Sequence, residues 1–140
     1  MSLPDLYAKY HDDVQFIVIY IREAHPVDGW WLGKGSIGFW LKLSRSKVAL
    51  DIYDPKTIEE RRLAAGQFET SLKYGVRTYV DEMDDAVNTA YAAAPTRMYL
   101  IGLDGCVVYR GGMGPYGFKP KELGAAIKKY LSQIDSNTGY

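Results

Sequence analysis

Leu3, Leu6, Tyr7 and Tyr10 recur at i, i+3, i+4 and i+7, which predicts a short amphipathic helix near the start of the chain. Val14 to Ile21 is then almost unbroken apolar sequence, predicted as a strand covered on both faces, as in a parallel sheet. Glu23 to about Pro55 has no clear period, and the 31–54 stretch within it reads as a functional or partly structured insertion. Phe39-Trp40-Leu41 and Val48-Ala49-Leu50 are short extended candidates there. Helical spacing resumes at Ile58, placing Ala64, Ala65, Phe68 and Leu72 on an inner face, with Gly75 as the C-cap. A strand is predicted from Val76 to Val80. Asp81, Asp84 and Asp85 lead into a helix with Val87, Ala90, Tyr91 and Ala94 inward and Pro95 as its stop. Their charge suits the positive end of the helix dipole. Met98–Leu103 and Val107–Tyr109 read as a hairpin turning at Asp104-Gly105. The last helix opens near Pro120 and buries Leu123, Ala126, Ile127, Tyr130, Leu131 and Ile134. Asp135 to Tyr140 is predicted to be a frayed polar tail.

The order helix, strand, loop, helix, strand, helix, hairpin, helix argues for one α/β domain over residues 1–140. A proline before an antiparallel hairpin and a closing helix suggests the rear half of a thioredoxin-like fold. Charge adds a negative: 17 basic and 17 acidic residues balance, so nothing favours nucleic acid as a partner. The longest apolar run is too short to span a bilayer, and no signal peptide is visible, so a cytoplasmic setting is expected. Cys106 is the single cysteine, which excludes an intrachain disulfide or a Cys-x-x-Cys centre. With only His11 and His25 besides, neither a metal site nor a bound cofactor is expected.

Four blocks carry a more specific signal. Tyr20-Ile21-Arg22-Glu23-Ala24-His25-Pro26-Val27-Asp28-Gly29-Trp30 resembles the Tyr-Ile-x-Glu-Ala-His-Pro-x-Asp-Gly-Trp run of iodothyronine deiodinases and their bacterial relatives. Glu59-Glu60-Arg61-Arg62 is similar to the helix start that follows in that family, and Val80-Asp81-Glu82-Met83-Asp84-Asp85 to its Asp-x-Met-Asp-Asn segment. Thr96-Arg97-Met98-Tyr99-Leu100-Ile101, with Val108-Tyr109-Arg110-Gly111-Gly112-Met113-Gly114-Pro115-Tyr116-Gly117-Phe118, completes the pattern.

The resemblance implies a peroxiredoxin-like variant of the thioredoxin fold, a mixed sheet flanked by helices, that removes iodine reductively from iodinated phenols. A selenocysteine or cysteine acts as nucleophile, a neighbouring acid protonates the ring carbon, and a thiol reductant serves as cosubstrate. It also implies that the central first strand and the nucleophile, which precede the opening helix in the family, are missing here. Cys106, at the hairpin, is no substitute and is expected to be a small buried thiol. An incomplete gene product is therefore expected, a UGA selenocysteine codon read as stop being one origin.

Among the site candidates, His25 is read as proton donor with Glu23 as its orienting partner, against a plainer reading as polar loop residues at a strand end. Tyr20 joins that relay or is a core tyrosine. The resemblance gives Arg97 the role of clamping the substrate's carboxylate or ring substituents. Trp30 is a candidate wall of an aromatic pocket, and Pro95 the candidate cis-proline beside the nucleophile. Thr96 and Pro55 depart from the family, where an acidic residue and a histidine are common. Gly111-Gly112-Met113-Gly114-Pro115 lacks the Gly-Lys-Ser/Thr of a phosphate loop and reads as a tight turn. Vertebrate members pair, so a homodimer is possible by resemblance. Two other classes stay open: a thiol peroxidase or disulfide reductase-like protein, and a redox-dead module that binds an aromatic acid.

Overall fold

The computed structural model describes residues 1–22, 55–72 and 75–138. Ser2 opens helix α1 (Leu3–Tyr10) with a capping box. Its hydroxyl accepts the Asp5 N–H at 3.4 Å, and its own N–H donates to the Asp5 carboxylate at 2.6 Å. The Ser2 N–H bond, and after it the Ser2 hydroxyl, hold the Asp5 carboxyl below its usual pKa. The Tyr10 carbonyl closes the helix by accepting from Asp13 and Val14 at 3.1 and 2.8 Å.

Strand β1 (Val18–Tyr20) follows and pairs in parallel with β2 (Thr78–Val80), Ile19 opposite Tyr79. Parallel neighbours need a crossover, and helix α2 (Ile58–Leu72) lies within it. Thr57 caps α2 by accepting the Glu60 N–H at 3.2 Å. The helix packs on β2 and buries Ala64 and Ala65. Helix α3 (Ala86–Tyr91) leads to β3 (Tyr99–Ile101) and β4 (Val107–Arg110), an antiparallel hairpin with a register slip between Leu100 and Ile101. Its turn uses Gly105 at φ +79°, a conformation that a side chain disfavours. Helix α4 (Pro120–Thr138) packs across both hairpin strands and touches α1. Leu6, Tyr10, Met98, Leu100, Leu123 and Ile127 form the core where these elements meet.

The apolar run at 14–21 is not one covered strand. Only Val18–Tyr20 joins a ladder, while Val14 and Phe16 turn into the α1/α4 core and Phe16 meets the Tyr7 ring edge-on at 5.5 Å. Ile17, Ile19 and Tyr79 are exposed, because α2 covers the Tyr20 side of this pair and no described element covers the other. Among the described residues the strands form two separate two-stranded sheets rather than one mixed sheet.

The predicted inner face of α2 is also incomplete: Phe68 is partly exposed, and the charged Arg61 is buried instead. α3 buries no side chain, so Ala90 and Tyr91 do not point inward. It ends before Pro95, at Ala92, whose φ of 46° breaks the helix while its N–H bonds back to Asn88 and Thr89. At the other end of the chain, α4 continues to Thr138, so residues 135–138 are helical rather than frayed.

Candidate functional site

The approach to β3 is built by Asn88. Its backbone carbonyl accepts the Ala93 N–H and its side-chain oxygen the Ala94 N–H, both at 3.0 Å. The Tyr99 hydroxyl donates to the Tyr91 carbonyl, and the two rings pack edge-on at 4.9 Å. Between these anchors the Ala94–Pro95 peptide is cis, and Thr96 and Arg97 lead into the strand. Met98 enters the core, whereas Arg97 is half-buried, with its Nε shielded from solvent and without a hydrogen-bond partner among the described residues. Buried donors are ordinarily satisfied; among the described residues Arg61 Nε, Thr78 Oγ1 and the Tyr109 hydroxyl share this condition.

The glycine-rich segment after β4 is fastened to the same stretch. Gly111 N–H donates to Met98 O at 2.8 Å and Gly114 N–H to Thr96 O at 2.9 Å. A Cβ at Gly114 would fall 2.3 Å from Thr96 Cγ2, and one at Gly117 2.4 Å from the Gly112 carbonyl carbon. Glycine serves close approach to the Thr96 side chain at 114 and of backbone to backbone at 117. The Gly114–Pro115 peptide is also cis.

At the C-terminal ends of β1 and β2 lies a buried charge cluster that hydrophobic periodicity does not reveal. Asp81, 2% exposed, accepts N–H bonds from Glu82, Val87 and Asn88, and so caps α3 from across the turn. Arg61, 3% exposed, donates to the carbonyls of Asp81 and Glu82 at 3.2 and 2.6 Å. Its Nη2 also pairs with Asp85 Oδ1 at 3.0 Å, and Asp85 Oδ2 lies 3.8 Å from Arg22 Nη1. Positive and negative groups balance, so the cluster fixes the turn and the end of β1. Asp84 accepts the Ala86 N–H at 3.1 Å. Capping and ion pairing thus account for all three acidic residues of this segment.

Tyr20 sits on β1 with its ring 5.9 Å from Phe68, and its carbonyl accepts the Asp81 N–H at 2.9 Å. Glu23, His25 and Trp30 lie outside the described residues, as do Trp31 and the 31–54 insertion. Cys106 is exposed rather than buried, because it belongs to the hairpin turn, where its N–H donates to Asp104 at 3.0 Å. On β4, burial and the nearby Glu122 charge push the Tyr109 phenol above its usual pKa. Among the described residues no His/Cys/Asp/Glu group is arranged to hold a metal, and no helix is long and apolar enough to cross a membrane.

The protein is thus a mixed α/β domain in which a half-buried arginine with an unsatisfied donor follows a proline turn into a hairpin. The family model for iodothyronine deiodinase matches residues 2–131, and the chain belongs to that family. It is similar to the thyroxine 5-deiodinase of Aquarana catesbeiana, at 37% identity over 94% of this chain and 44% of that protein. The Sparus aurata enzyme of that name is 35% identical over 91% of this chain and 42% of its own length, and the Homo sapiens one 32% over 92% and 38%. The chain therefore spans about two fifths of the length of these relatives.

Proposed function

We propose that this chain is the substrate-holding part of a deiodinase-type oxidoreductase with a thioredoxin-like fold, inactive by itself for want of a nucleophile. Family membership supports the reaction class, and the unsatisfied Arg97 Nε is the observation that carries substrate binding. In the reaction, a selenolate or thiolate takes iodine from the ring as the ring carbon gains a proton. Two thiol equivalents then release iodide, leave as a disulfide and restore the nucleophile. Here His25 and Glu23 would deliver the proton, and Arg97 would hold an anionic substituent of an iodinated phenol. Cys106 stays outside this scheme, being at the far end of β3 from Arg97. β1 and β3 each have one described neighbour in a ladder. In the proposed complete protein, a strand not supplied by these 140 residues pairs with both and carries the nucleophile.

The test is iodide release. The chain as given, supplied with a thiol reductant and an iodinated phenol, is expected to release none, and clear turnover would overturn the proposal. A form extended by an upstream strand bearing selenocysteine or cysteine is expected to release iodide. Peroxide consumption without iodide release would favour a thiol peroxidase instead. The same Arg97 observation favours one second reading for the chain alone, a redox-dead module that binds an aromatic acid.

A further inference from the structure

Beyond β4 the chain keeps running beside the approach to β3, but with one residue more on its own side. Tyr99 faces Arg110 in the ladder, Gly111 N–H then donates to Met98 O at 2.8 Å, and Gly114 N–H to Thr96 O at 2.9 Å. A step of three residues on one side thus matches a step of two on the other, and Gly112 and Met113 together stand opposite Arg97 in register. That is the arrangement of a β-bulge, which bends a strand and recurs next to active sites, where it re-aims side chains. The two carbonyls it pins belong to the residues on either side of Arg97. The fit is close: a Cβ at Gly111 would lie 3.1 Å from Met98 O, and one at Gly114 2.3 Å from Thr96 Cγ2. Neither glycine has a positive φ; among the described glycines only Gly75 and Gly105 do. Contact, rather than backbone conformation, therefore keeps both positions small.

We propose that the bulge from Gly111 to Gly114 aims Arg97, with Gly114 and Thr96 as positioning residues that act through their mutual contact. The proposal rests on the deiodinase-type reading for the use of Arg97, and on the two backbone pins for its placement. Nitrogen-15 NMR of the chain follows the Arg97 Nε–H, identified by its loss in Arg97→Lys, and its exchange with water reads how well that atom stays shielded. Gly114→Ala drives a methyl group into Thr96 Cγ2 and is expected to speed this exchange about tenfold or more. Thr96→Ser removes Cγ2 and leaves the residue's carbonyl, at 3.3 Å, as the nearest atom to the new methyl. Gly114→Ala combined with Thr96→Ser should therefore return to within about twofold of the parent. Calorimetric affinity for a diiodinated hydroxyphenylacetate should fall and recover in step. Exchange that is unchanged in Gly114→Ala, or not recovered in the double variant, overturns this proposal and leaves the functional reading standing. Exchange that follows the variants in a chain that does not bind this acid overturns the functional reading and leaves the aiming of Arg97 in place. Should Gly114→Ala fail to fold, the double variant decides: parent-like exchange supports the contact, and a second failure to fold overturns it.

Discussion

Replacing Asp81 by alanine isolates the one carboxylate that holds the turn between β2 and α3. Its Oδ1 accepts from Glu82 and Val87, both at 3.0 Å, and its Oδ2 accepts from Asn88 at 2.8 Å. Val87 and Asn88 carry two of the four N–H groups that the start of α3 leaves without intrahelical partners. Asp85, the residue at the formal N-cap, offers no side-chain bond because its φ of 56° and its pairing with Arg61 turn it elsewhere. A hydrogen bond to a charged acceptor contributes about 1.5–3 kcal/mol. Glu82 is exposed, so water can replace the carboxylate at its N–H, and two bonds then decide the sum. Asp81→Ala should therefore cost about 3–6 kcal/mol, a large part of the roughly 5–15 kcal/mol that holds a typical domain. Urea unfolding followed by circular dichroism measures it, the midpoint falling while the slope stays constant. Asp84→Ala is the control: that exposed carboxylate makes one local bond, to Ala86, and should cost under about 1 kcal/mol. Asp81→Asn keeps one acceptor oxygen and should fall between the two. Equal midpoints for Asp81→Ala and Asp84→Ala would refute the capping account. Arg61 would not rescue it, since its bonds here go to backbone carbonyls rather than to the Asp81 side chain.

Two further predictions concern the α1/α4 half. Ile127, 1% exposed at the centre of the core, should lose about 2–5 kcal/mol on truncation to alanine, and a loss under 1 kcal/mol in urea unfolding would show a core able to collapse around the gap. The Asp5 carboxyl titrates below its usual 3.8 because Ser2 bonds favour the charged form, so its contribution is complete above that value and is lost as pH falls through the lowered one. Ser2→Ala should move the Asp5 carboxyl resonance titration back toward 3.8 in NMR, and an unmoved titration would remove the hydroxyl from the account.

What hydrophobic spacing could reveal depended on whether one stretch of chain decided the outcome. α1 and α4 bury a single stripe each, and the Asp104-Gly105 turn needs the positive φ that Gly105 adopts, so these features were legible locally. The end of α3 was not. Tyr91-Ala92-Ala93-Ala94 has every local reason to stay helical up to Pro95, but Asn88 captures the Ala93 and Ala94 N–H groups and closes the helix early. Arg61 was hidden for a related reason: a charged residue on a helix reads as solvated until the carbonyls of Asp81 and Glu82, some twenty positions away, are placed beside it. At the site, Arg97 and Pro95 came from the family resemblance rather than from periodicity.

The apolar run from Val14 to Ile21 links fold and function most directly. Its composition is that of a strand buried on both sides. Among the described residues, however, β1 has β2 as its ladder neighbour, and Ile17 and Ile19 remain exposed. On the hairpin, Ile101 and Val108 are exposed as well. Burying such a side chain fully is worth about 1.5–3 kcal/mol, and these four, 41–54% exposed, could each gain roughly half of that from a cover. The central strand of the proposed complete protein would pair with β1 and β3 at once, joining the two sheets and restoring neighbours to both. The element that brings the nucleophile would then also pair the edges of β1 and β3 that have no described neighbour, which ties activity and stability to one segment. An extended form that released iodide yet unfolded at the same urea midpoint as the present chain would break that tie.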